Sequence, residues 1–138
     1  MTVRALALGV VVGLLATACG SRSSVKAPAL DAGCKHGREA LARVGPIQDL
    51  GDATTALRAI VRLDRRALAD VEASGAGRGR LAARFRLSIQ TTEQSLHALV
   101  ASDSQQTMTP MRTGVSNARR AAGDAHALVG SLCGQARA

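Results

Sequence analysis

The chain has no tryptophan, no tyrosine and a single phenylalanine, Phe85, in 138 residues. Without large rings there is no platform on which nucleic-acid bases stack and no aromatic wall for a haem pocket. The core falls to leucine, valine, isoleucine and alanine. Strand-forming β-branched and aromatic residues are sparse, whereas Ala, Leu and Arg lose little rotamer freedom in a helix, so the composition predicts an all-α protein. Lysine is scarce too, at Lys26 and Lys35 alone, which leaves arginine to supply most of the formal net charge of +8. Missing motifs narrow the chemistry further. There is no HExxH, no CxxCH and no pair of Glu-x-x-His helices. No nucleophile, base and orienter converge in the sequence, and the reading is of a protein that is not an enzyme.

The longest apolar run, Ala5 to Leu15, is shorter than the ~17 to 25 residues that cross a bilayer as a helix. It follows the positive Arg4 and ends in small residues before Cys19, the order of parts in an export signal. Ala16-Thr17-Ala18-Cys19 resembles the lipobox of bacterial lipoproteins. The departure is Ala16, where that family more often has leucine; Leu15 stands one place too early. The resemblance implies that residues 1–18 are removed, that Cys19 carries diacyl lipid such as palmitate, and that the mature protein is held at the extracytoplasmic face of the cell membrane. Ala16-x-Ala18 also suits ordinary signal peptidase, which would leave a soluble product with a free Cys19 thiol.

What remains is one small domain. Acylation of Cys19 leaves Cys34 and Cys133 as an even pair in an oxidising compartment, for which a disulfide is the expected outcome and two buried thiols the alternative. Residues 19–30 read as a flexible tether, polar, with Pro28 and no periodicity. Residues 31–138 read as a helical bundle. Asp31 is placed to cap a first helix running to about Val44, stopped by Gly45-Pro46, with Cys34, Leu41 and Val44 on one face. A second helix begins near Asp49 or Asp52 and runs to about Ser74, burying Leu57, Val61, Leu68 and Val71. Asp64 interrupts that face, and pairing with an arginine of a neighbouring helix or a partly open site at the bundle end is expected for it, with a ligand contact the alternative. Gly75-Ala76-Gly77-Arg78-Gly79-Arg80 is a hairpin tip. It follows a helix and lacks the Lys-Ser/Thr of a nucleotide loop.

A third helix carries Leu81, Phe85, Ile89, Thr92, Leu96 and Leu99 and ends near Ser102. In the fourth, Met108, Met111, Val115, Ala118, Ala122, Ala125, Val129 and Leu132 recur three and four apart, a heptad seam with a small-residue middle. Pro110 either sits at this helix's first position or kinks a helix begun at Asp103, and the stripe through Met108 favours the earlier start. An antiparallel up-down four-helix bundle with a shorter first helix, stapled by Cys34 and Cys133, is the predicted fold. In layout, with one cysteine before the first helix and one at the C-terminus, it resembles small actinobacterial lipoproteins of the cell envelope, a group whose resemblance implies no activity.

Two possible sites remain. Arg58, Arg62, Arg65, Arg66, Arg78, Arg80, Arg84 and Arg86 crowd the second helix and the hairpin tip as a basic patch. Export and the missing aromatics argue against nucleic acid, so the partner predicted is anionic lipid or an acidic envelope protein, against a solvated face with none. His36, His97 and His126 fall on different helices, each beside an apolar stripe. His97 with Met108 and Met111 is the nearest approach to a haem or copper site. The function predicted is therefore non-enzymatic binding or structure at the envelope, without cofactor or metal, with a haem or copper carrier as the alternative.

Overall fold

The computed structural model describes residues 27–103 and 108–138, apart from the side chains of 102–111. The signal, Cys19, the tether as far as residue 26, and the side chains of Met108 and Met111 lie outside the described residues. Four helices and no strand are found among the described residues: α1 (Ala27–Ala42), α2 (Leu50–Ala73), α3 (Arg80–Asp103) and α4 (Met108–Ala136).

Helix α1 opens four residues ahead of Asp31, which lies within the helix and does not cap it. Pro28 is tolerated because the amides of a first turn have no intrahelical acceptor to lose. Leu30, assigned to the tether on sequence, is buried against Val71, Leu81 and Phe85. That burial belongs to tertiary packing, which local polarity does not disclose.

The start of α2 is set by Asp49, whose Oδ1 accepts the amide of Asp52 at 2.8 Å, while Asp52 Oδ2 accepts the amide of Gln48 at 3.0 Å. Two amides without helical partners are satisfied reciprocally. At its other end Gly75 takes a left-handed φ of 88°, the amide of Gly75 reaches the carbonyl of Glu72, and that of Ala76 reaches Val71. This pair of bonds is the Schellman stop, for which a residue without Cβ is favoured. Asp103 closes α3 and does not open α4. Pro110 is the third residue of α4, again in a first turn.

Helices α2 and α4 approach each other and both remaining helices, whereas no Cα of α1 comes within 8 Å of one in α3 among the described residues. Contacts pair rising numbers in one helix with falling numbers in the next, as Arg65 with Glu93 and Glu72 with Arg86 do across α2 and α3. This order supports antiparallel neighbours. Small residues bring α1 against α4: a Cβ on Gly37 would stand 2.9 Å from Val129 Cγ2, and one on Gly33 would stand 3.3 Å from Leu132 Cδ2. One turn apart, these glycines set the close approach at which Cys34 and Cys133 bond, with an S–S distance of 2.04 Å and Cα atoms 4.9 Å apart.

Three apolar clusters run down the bundle. The first joins Leu30, Leu81, Phe85 and Leu132, with Ala76 and Ala136 packed on it; the second holds the disulfide, Ile60 and Val129; the third joins Ile47, Leu57, Leu99 and Ala118. Helix α1 is too short to line all three. Residues 43–49 take over, carrying Val44 and Ile47 into the third cluster, where Arg119 clasps the Ile47 carbonyl through Nε at 3.0 Å and Nη2 at 2.8 Å.

Candidate functional site

Asp64 is fully buried on α2, and its partner is a hydroxyl, not the arginine expected. Ser88 Oγ on α3 donates to Oδ2 at 2.6 Å; Oδ1 has no partner. Burial pushes the carboxyl up to about 6, and the Ser88 hydrogen bond pulls the other way. A carboxyl removed from water without a cation favours its neutral form, which can donate as well as accept. Thr92, one turn beyond Ser88, is also buried within the apolar stripe of α3.

The eight arginines of the predicted patch are all exposed, but six of them are divided among three grooves, and Arg78 and Arg86 line none of the three. Arg62 and Arg66 border the α1–α2 groove together with Arg43, His36 and Glu39. Arg58 and Arg65 face the α2–α3 groove beside Glu93 and His97, with Arg62 reaching both. Arg80 and Arg84 face the α3–α4 groove. Residues three or four apart share a helix face, whereas Arg65 and Arg66, neighbours in sequence and about 100° apart around α2, face different grooves. Their clustering in sequence is therefore not clustering in space.

Ion pairs thin the patch further. Arg65 pairs with Glu93, Arg66 with Asp70 at 3.8 Å, and Arg86 with Glu72 at 2.6 Å as well as the Gly77 carbonyl at 2.9 Å. Arg84 reaches Ser131 Oγ at 3.4 Å. Arg58, Arg62, Arg78 and Arg80 have no acidic partner among the described residues. Arg78 and Arg80 stand at the α2–α3 turn, the end where Leu30 and Ala136 also pack. Arg137 follows Ala136 directly and joins them. Sequence reasoning passed it over, although a Cys34 to Cys133 bond already implies that the chain's last residues lie beside the start of α1.

The three histidines do not meet. His36 Nδ1 lies 3.8 Å from Asp70 Oδ2, His97 lines the α2–α3 groove, and His126 is exposed on α4. No three His, Cys, Asp or Glu side chains gather as a metal set among the described residues, and Met108 and Met111 lie outside them. No described helix is long and apolar enough to cross a membrane. Comparison with protein-family models, curated proteins and solved structures gives no match.

Proposed function

We propose that this is a lipid-anchored binding domain of the bacterial cell envelope, non-enzymatic, held by Cys19 and oriented against the outer face of the membrane by its tether-end arginines. One observation carries the reading. Leu30, Ala76, Leu81 and Ala136 share an apolar cluster, so the start of α1, the α2–α3 turn and the end of α4 lie at one end. A chain anchored ahead of Ala27 presents Arg78, Arg80 and Arg137 to the surface that holds the anchor. The Cys34–Cys133 disulfide supports an oxidising location. Each arginine near an anionic surface contributes about 1 kcal/mol within roughly a Debye length of 8 to 10 Å.

The test uses protein beginning at Gly20, sedimented with vesicles of rising anionic lipid content at low and physiological salt. Binding is expected to be salt-sensitive and to fall when Arg78, Arg80 and Arg137 become Gln. Protein that ignores anionic vesicles at low salt rejects the membrane as partner and turns the reading toward an acidic envelope protein. The anchor is tested separately: Cys19→Ser should abolish lipidation, and a variant processed and membrane-bound as before refutes it.

A further inference from the structure

We infer that the groove between α1 and α2 binds a small anionic amphiphile, an apolar body of a few carbons carrying one carboxylate or phosphate head. The groove holds about 630 Å³, within the range of small-molecule sites. Small residues of both helices line it. Buried Gly33, Gly37, Leu63 and Ala67 form its floor, with Ala40 and Ala59 half-buried beside them. The rim differs sharply in character. Exposed His36 rises from α1, exposed Arg43 from the residue that follows it, and exposed Arg62 and Arg66 from α2, with Glu39 the one acid among the lining residues.

Charge within α2 points the same way. Arg58, Arg62 and Arg66 repeat every four residues, a spacing at which like charges repel by a few tenths of a kcal/mol per pair. Asp70 offsets this only at the Arg66 end, through a contact of 3.8 Å, and leaves Arg62 without an acid among the described residues. Local conflicts of this kind concentrate where a surface serves function. An anionic head seated between Arg43 and Arg62 would relieve the repulsion with charge-assisted hydrogen bonds, and its apolar body would lie on the floor of Leu63 and the alanines. Either a fatty acid or a phosphate monoester supplies that chemistry.

The experiment titrates the full disulfide-bonded chain with octyl phosphate, octanoate, inorganic phosphate and octanol below their micellar or solubility limits, following backbone amides by NMR. Saturable shifts at Gly33, Gly37, Ala40, Ala59 and Ala67 are expected with one or both octyl anions, and the tighter of the two identifies the head. Arg43→Gln and Arg62→Gln should each weaken binding about tenfold, the loss of one charge-assisted contact. Arg58→Gln, facing the α2–α3 groove alone, should leave it unchanged. Shifts absent from these amides overturn the inference. So does inorganic phosphate binding as tightly as octyl phosphate, which leaves the floor without a role, or octanol binding as tightly, which leaves the arginines without one.

Discussion

Ser88 of α3 donates its hydroxyl to Asp64 Oδ2 of α2 at 2.6 Å, and the second carboxylate oxygen of Asp64 is buried without a partner. A single neutral donor is weak compensation for an ionised carboxylate out of water. The Ser88 hydrogen bond favours the ionised carboxylate, but the cost of burying that charge outweighs it, so the fold is favoured most when Asp64 is protonated.

Stability should therefore fall as pH rises across the mildly acidic range. Burial pushes the folded carboxyl up to about 6 from its ordinary value of 3.8, which the unfolded chain keeps. Below the lower value both states hold the proton and the contribution is fully present. Between the two the unfolded chain releases its proton first, and the contribution is gone above the folded value, a loss on the order of 2 to 3 kcal/mol. Urea titrations from pH 3.5 to 8 should show this slope, and Asp64→Asn should remove most of it. A variant with the same slope as the parent would place the titration elsewhere.

Reduction of Cys34–Cys133 should lower the melting temperature strongly. The bond spans 99 positions, for which the chain-entropy model gives an upper value of about 4.7 kcal/mol. Non-reducing digestion should release the two cysteine peptides cross-linked, and the melt with dithiothreitol should match that of a Cys34→Ser, Cys133→Ser double variant.

Two glycines should respond in opposite directions to alanine. Gly130 lies exposed on α4 with open space where a Cβ would go, so Gly130→Ala should stabilise by about 1 kcal/mol through helix propensity alone. At Gly37 the new Cβ meets both methyls of buried Val129, at 2.9 and 3.0 Å. A β-branched side chain has little rotamer freedom with which to yield. Overpacking of roughly 1 to 3 kcal/mol should outweigh the gain, and Gly37→Ala should melt lower than the parent.

Arg119→Met should loosen residues 43–49 without unfolding the helices. It removes both donors to the Ile47 carbonyl, a loss of about 1 to 3 kcal/mol for hydrogen bonds from a charged group. Hydrogen exchange should rise in that segment before it rises in α2 or α4. Equal exchange in parent and variant would show that the clasp contributes nothing to the segment's order.

Signals with a local cause were legible in the sequence. The Asp49 cap, the Gly75 stop, the stripe from Leu81 to Leu99 and the seam from Val115 to Leu132 each depend on residues within a turn or two of one another. The cysteine pair was legible because reading Cys19 as the lipid-bearing residue left one even pairing. What escaped reading depends on register between helices. Ser88 as the partner of Asp64 requires knowing which turn of α3 faces which turn of α2. The early start of α1 depends on Leu30 meeting Leu81 and Phe85, far along the chain. The division of the arginines among three grooves follows from which flank of α2 each occupies, a difference of one residue between Arg65 and Arg66.

The disulfide also decides how the domain carries mechanical force. Any pull applied between the chain ahead of Cys34 and the residues after Cys133 passes through the sulfur–sulfur bond and leaves the intervening polypeptide slack. Helices α2 and α3 lie wholly within that bypassed loop, and only the ends of α1 and α4 outside the cysteines bear tension. Stretching from the two termini would therefore peel the first turns of α1 and the last turn of α4 and then stop, with the grooves of α2 and α3 still folded.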